Sequence, residues 1–198
     1  GLVNAVLRGY QRGKVKLERA LKSGERDRSL AFPEWLESEV ALQWPEQASS
    51  IFNNSNQRPP MTLRVNLAKC TRNQYMETLQ AARFDVTAGA LADTALYLHK
   101  PAAVSELPGF DEGLVSVQDE ASQLVTQLLE LEPGLRVLDA CAAPGGKTCH
   151  ILESEHLLSN MTSIDMSQTK LDRIKENLER LRLSANLVAA DASDVNGW

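Results

Sequence analysis

The segment DACAAPGGKT, residues 139–148, places an acid ahead of a run of small side chains and ends on Lys147-Thr148. Small residues leave backbone bare, and Gly145-Gly146 permits positive φ and close approach of a ligand. Cys141, Ala143 and Gly145 fall at every second position after Asp139. The apolar run 136–138 before the loop predicts a buried strand, and residues 147–153 predict the start of a helix. A strand, a tight turn and a helix N-terminus together form a place where a ligand meets backbone amides. Two further acids share that placement. Residues 161–164 read as a strand ending in Asp165, 20 positions after Gly145, and residues 187–190 as a strand ending in Asp191. An acid at the second strand tip is placed to accept hydrogen bonds from ribose hydroxyls, and one at the third can meet an adenine amino group. Acids after strands also cap the next helix. Three of them around such a loop favour a ligand.

Counting glycines separates the nucleotide chemistries. A P-loop needs G-x-x-x-x-G-K-[ST], and its first glycine would fall at Cys141. A dinucleotide loop needs G-x-G-x-x-G, whose first two glycines would be Cys141 and Ala143. The remaining reading is an S-adenosylmethionine site of the Rossmann-like methyltransferase type, which combines a strand-end acid with small residues at alternate positions.

The elements that must hold this site alternate in type. Leu171, Ile174, Leu178 and Leu181 form one apolar stripe of a helix between the second and third strands, with Ser167 as its N-cap. Strand, helix, strand, helix, strand predicts a parallel sheet, with Asp139, Asp165 and Asp191 at its ligand-binding end. Upstream, residues 116–131 read as an amphipathic helix with Ala121, Leu124, Val125, Leu128 and Leu129 on one face, ended by Pro133-Gly134. Residues 61–115 read as α+β, with strands at 62–66, near Val86 and at 95–99 and a helix at 71–82. Residues 1–57 read as helical, with a break at Pro45. The expected domains are 1–57, a helical segment; 58–115, a small α+β subdomain; and 116–198, the cofactor domain.

On these motifs the chain resembles the Sun or Fmu-like RNA cytosine-5 methyltransferases. DACAAPGGKT and the preceding VQDEAS at 117–122 carry the resemblance, with PPMTLRVN at 59–66, FPEWL at 32–36 and GLVNAVLR at 1–8. The last is similar to the end of the NusB-like domain of the bacterial ribosomal RNA members. The resemblance implies methylation of C5 of a cytosine in small-subunit ribosomal RNA. A cysteine thiolate adds to C6 to activate C5 and later leaves. It further implies an RNA-recognition-like subdomain before an incomplete Rossmann-like core. Cys141, Ala142, Ala143, Pro144, Gly145, Gly146 and Lys147 would line the methionine end of S-adenosylmethionine, Asp165 the ribose and Asp191 the adenine. The resemblance implies two cysteines, in a Pro-Cys and a Thr-Cys dipeptide, on segments after the fourth strand. This sequence has no Pro-Cys. Its Thr-Cys pair, Thr148-Cys149, falls in the predicted helix after the loop, and its other cysteines are Cys70 and Cys141. The nucleophile is therefore expected beyond Trp198. The chain is expected to be a fragment cut at both ends, and inactive alone. The alternatives are a transfer RNA methyltransferase and a non-catalytic RNA-binding or ribosome-assembly module.

Net charge is -5, but it is unevenly spread. Residues 1–28 carry +5 and 58–84 carry +4, whereas 29–57 carry −4 and 85–198 carry −10. Phosphate binding needs local positive charge. Arg58, Arg64, Lys69, Arg72 and Arg83 are the expected phosphate contacts. Three cysteines without a pairing pattern suggest a reducing cytosol. His99, His150 and His156 form no ligand spacing with them, so no metal is expected. No apolar run is long enough for a membrane span, and a cytoplasmic monomer is expected.

Overall fold

The computed structural model of this chain describes residues 1–22 and 32–195. Arg26 and Arg28 of the first basic block, and Trp198, lie outside the described residues. The chain divides into two units, Gly1–Pro59 and Pro60–Trp198.

The first unit is helical: α1 (Leu2–Lys22), α2 (Glu34–Gln43) and α3 (Ala48–Ser55). Trp44 and Pro45 follow α2, and proline cannot continue a helix. Phe52 of α3 is buried, with its ring 4.8 Å from that of Phe32. Trp35 and Leu42 of α2 are exposed.

In the second unit, alternating β-branched and apolar residues give β1 (Met61–Val65), β2 (Val86–Ala88), β3 (Ala95–Leu98) and β4 (Val115–Val117), with α4 (Arg72–Ala81) between β1 and β2. They form an antiparallel sheet in the order β2-β3-β1-β4. Thr71 starts α4 with a capping box. Its side chain accepts from the Gln74 amide, while Gln74 accepts from the Thr71 amide. Tyr75 and Leu79 of α4 pack with Leu63, Val65, Leu96, Leu98 and Val115 into one buried cluster.

The helix expected at 116–131 is corrected by the structure. The Val-Ser-Val triplet pairs with β1 as an edge strand, and two single helical turns follow, α5 (Glu120–Gln123) and α6 (Val125–Leu128). Asp119 caps α5 by accepting from the Ala121 amide. The helix-like spacing thus covers a strand and a broken helix, and Leu128 and Leu129 are exposed.

The parallel sheet has the order β5-β6-β7, from β5 (Arg136–Asp139), β6 (Asn160–Asp165) and β7 (Asn186–Ala189). The connecting helices are α7 (Gly146–Ser154) and α8 (Gln168–Leu181). Leu171, Ile174, Leu178 and Leu181 are buried, as their spacing predicts, and pack with Ala142 and Cys149. Ser167 stands at the N-cap position, but its side chain makes no cap bond. Its amide instead donates to Asp165 Oδ1 at 3.1 Å, so the strand-end acid organises the entry to α8. Among the described residues no helix is long and apolar enough to cross a membrane.

Candidate functional site

The loop between β5 and α7 turns on Gly145, whose φ is +98°. The backbone conformation there requires glycine, and a Cβ would also crowd Ile174 Cγ2 of α8 at 3.0 Å. The loop bonds to itself and to β6. The Gly145 amide donates to the Ala142 carbonyl at 2.7 Å, and the Ala142 amide to the Ile164 carbonyl at 3.0 Å. Asn177 of α8 donates to the Pro144 carbonyl at 3.0 Å. Ala142 and Gly145 are buried and face the helices. Cys141, Pro144 and Lys147 are exposed, with Ala143 and Gly146 intermediate. Helix geometry leaves the amides of Gly146, Lys147 and Thr148 without intrahelical acceptors, a setting that favours an anion.

The three strand-end acids occupy different settings. Asp139 accepts from the hydroxyl of fully buried Thr148 at 2.8 Å, and that hydroxyl lies 3.0 Å from Ser163 Oγ. This bond chain ties the ends of β5 and β6 to α7. Asp165 is buried, and its carboxylate receives the Ala143 amide at 3.4 Å as well as the Ser167 amide. It therefore joins the loop to the tip of β6. Asp191 is exposed, two residues past β7, and accepts from the amide and hydroxyl of Ser193 at 2.9 and 2.7 Å. Those bonds hold its carboxyl below the ordinary range. The loop, Asp165 and Asp191 thus cluster around the strand ends of the parallel sheet. A ligand with a carboxylate near the helix start and hydroxyls near the acids fits these donors and acceptors.

The basic residues separate more sharply. Arg58, Lys69 and Arg83 are exposed. Lys69 Nζ donates to the Glu112 carbonyl at 2.6 Å, and half-buried Arg72 reaches the carbonyls of Gly89 and Ala92 at 3.4 and 3.3 Å. Arg64 is corrected: it is 1% exposed, and its guanidinium is spent inside the protein, so it has no surface to offer a phosphate. Nε and Nη2 donate to Glu153 Oε2 and Oε1 at 3.1 and 2.9 Å. Nη1 donates to Gln118 Oε1 at 2.7 Å and to the Gly146 carbonyl at 2.6 Å. Residue type alone ranked Arg64 with the other cations. The signal that separates it is its place in a strand between two apolar neighbours. Thr148, Gln118 and Glu153 were missed because each works through a partner distant in sequence.

The thiols are also distinguished. Burial pushes the Cys149 thiol up to about 11 and raises that of Cys70. Cys141 is exposed on the loop.

Residues 32–105 match the family model of the RsmF/B-like methyltransferase ferredoxin-like domain, and residues 126–198 match that of 16S rRNA methyltransferase RsmB/F. The chain is 48% identical over its whole length to ribosomal RNA small subunit methyltransferase B of Pseudomonas syringae pv. tomato, covering 44% of that protein. It is also 48% identical to the protein of the same name from Pseudomonas putida, covering 45% of it. The chain thus spans less than half the length of these curated relatives. Among solved structures, NSun6 from Pyrococcus horikoshii with SFG shares the fold, with a TM-score of 0.73 and 18% identity, over 81% of this chain and 66% of that one. Two matching models and identity along its full length show that the chain belongs to the Sun/Fmu-like family of RsmB/F 16S rRNA methyltransferases, with a Rossmann-like methyltransferase sheet behind its loop.

Proposed function

We propose that the complete gene product carrying this chain transfers a methyl group from S-adenosylmethionine to C5 of a cytosine in small-subunit ribosomal RNA. The observation that carries this reading is the joined loop and strand-end acid, where the Ala143 amide meets Asp165 beside a helix N-terminus. It is supported by the 48% identity to two small-subunit ribosomal RNA methyltransferases. The cofactor, when bound, supplies an electrophilic methyl group. The chain's residues would orient it: the first-turn amides of α7 and Lys147 would hold its carboxylate, Asp165 its ribose hydroxyls and Asp191 its adenine.

The chain's own thiols do not supply the attacking thiolate. A nucleophilic cysteine needs a lowered pKa, and burial moves Cys149 and Cys70 the other way. Cys141 belongs to the cofactor wall. The 198-residue chain alone is therefore expected to transfer no methyl group. Exposed Lys69 and Arg83 remain candidates for phosphate contact, as does Arg58 on the first unit.

The test is transfer of labelled methyl from S-adenosylmethionine to 16S ribosomal RNA and to transfer RNA transcripts, with the position mapped by mass spectrometry. The expected product is 5-methylcytosine in 16S RNA. Label confined to transfer RNA, or at another atom, would overturn the substrate or the chemistry. Methyl transfer by the 198-residue chain would overturn the assignment of its thiols.

A further inference from the structure

Arg64 belongs to the antiparallel sheet, yet its guanidinium bonds to Glu153 and Gly146 of α7 and to Gln118, ahead of α5. Side chains alternate along a strand, so Leu63 and Val65 enter the apolar cluster under α4 while Arg64 points to the opposite face. Glu153 lies seven residues after Gly146, near the far end of α7, and helical side chains lean toward the N-terminus. One guanidinium can therefore hold the Glu153 carboxylate through two bonds and the Gly146 carbonyl through a third. Gln118, between β4 and α5, receives the fourth bond and fixes the plane of the fork.

A buried ion pair is a poor source of stability, because desolvation offsets the attraction. Here burial outweighs Arg64 and leaves the Glu153 carboxyl above its ordinary range. An apolar pair of similar volume would fill this space as well. It would lack a directed donor onto the first residue of α7, next to the left-handed turn at Gly145. Guanidinium geometry suits that task, and an ammonium does not.

We infer that Arg64 is a positioning residue for the cofactor loop: anchored on Glu153 and Gln118, it holds the Gly146 carbonyl from the neighbouring sheet and so sets where residues 141–146 stand. The inference rests on the reading of that loop as the cofactor site.

The complete gene product should be compared with three variants. Arg64→Met with Glu153→Met removes both charges together. Arg64→Lys keeps the charge and loses the fork. Leu79→Ala weakens the apolar cluster of the antiparallel sheet without touching the loop. The readouts are melting temperature, S-adenosylhomocysteine affinity by calorimetry, and amide hydrogen exchange at residues 145–149. The double variant should melt near the parent, yet bind about tenfold or more weakly, the scale of one lost charge-assisted bond. Exchange at 145–149 should rise by a similar factor. Leu79→Ala should melt lower, with affinity and local exchange near parental while it is folded. A double variant with parental affinity and exchange would show that the pair only fills space, and would overturn the inference. Should the double variant fail to fold, Arg64→Lys is read by the same two outcomes. A parent that binds no S-adenosylhomocysteine would overturn the functional reading instead, and the exchange comparison would still decide whether Arg64 fixes the loop.

Discussion

β1 and β5 are both short strands with apolar residues in their middles, but they sit in very different surroundings. In β1 every residue from Thr62 to Val65 is buried, because α4 covers one face and α5 and α7 lie against the other. In β5 Arg136 and Leu138 are exposed and Val137 and Asp139 are only half covered. β1 is thus supported on both sides, while the loop after β5 is held by polar bonds together with the packing of Ala142 and Cys149 on α8. Thr148, Asp165 and Asn177 make those bonds within the parallel layer, and Arg64 makes them from outside. The contrast teaches that β1 is fixed by packing on both faces, whereas the loop after β5 is placed by directed polar bonds added to the apolar cluster of α7 and α8.

The sharpest way to break this comparison is truncation of matched leucines. Leu63→Ala, at a fully buried position, should destabilise the 198-residue chain by about 2–5 kcal/mol. Leu138→Ala, at a position 42% exposed, should cost less than about 1 kcal/mol. Urea unfolding measures both, and equal losses would refute the contrast between the two strands.

The second test uses acid. His150 of α7 is buried, with no hydrogen-bond partner on Nδ1 among the described residues and with Nε2 3.5 Å from Thr126 Oγ1. Burial, assisted by the nearby Arg64 charge, pushes its pKa down to about 3. Between that value and the ordinary value near 6.5, the unfolded chain binds a proton that the folded chain refuses. The associated stability is complete above about pH 6.5 and falls toward pH 3, by up to roughly 1.4 kcal/mol per pH unit. Acid also protonates carboxylates. Burial would raise Glu120, but bonds from Tyr97 and the Ala92 and Leu91 amides bring it below its ordinary value, so its contribution is likewise lost in acid. The diagnostic is therefore the difference between parent and His150→Leu. Denaturant unfolding at pH 7, 5.5 and 4.5 should show a shallower loss in the variant, and parallel profiles would sink the assignment.

These tests also mark what was legible in the sequence. The α8 stripe, the three parallel strands and the loop could be read because each is a local pattern whose period survives folding. Residues 116–131 could not, because a Val-Ser-Val edge strand followed by two helical turns has the apolar count of one amphipathic helix. Only pairing with β1 separates them. For the site, the acids at 165 and 191 were visible as strand ends. The bonds of Asp139 to Thr148 and of Arg64 to Gly146 were not, since side chains 9 and 82 residues away in sequence choose them. Arg64 shows the principle most plainly. Charge announces a cation, whereas burial is decided by the elements that fold over it.

The finest test concerns the two acids themselves, and here one substitution is not enough. Asp165→Ala should weaken S-adenosylhomocysteine binding by about 1–3 kcal/mol, the scale of lost hydrogen bonds to a charged group. Asp191→Ala should weaken it less, because an exposed carboxylate is well solvated before the ligand arrives. Yet Asp165 also receives the Ala143 and Ser167 amides, so a loss on truncation is equally expected if it only shapes the loop. A double-mutant cycle separates the roles, with S-adenosylhomocysteine and its 2′-deoxy analogue as the two ligands. If Asp165 meets the ribose, removing the hydroxyl should weaken binding to the parent and change little in Asp165→Ala. If it only supports Ala143, the hydroxyl should matter equally in both proteins, and Asp165→Asn, which keeps an acceptor for the amides, should recover most of the affinity. Asp191, placed toward the adenine, should show no coupling to the hydroxyl in either case. Coupling at Asp191 and none at Asp165 would reverse the direction in which the ligand is laid across the strand ends.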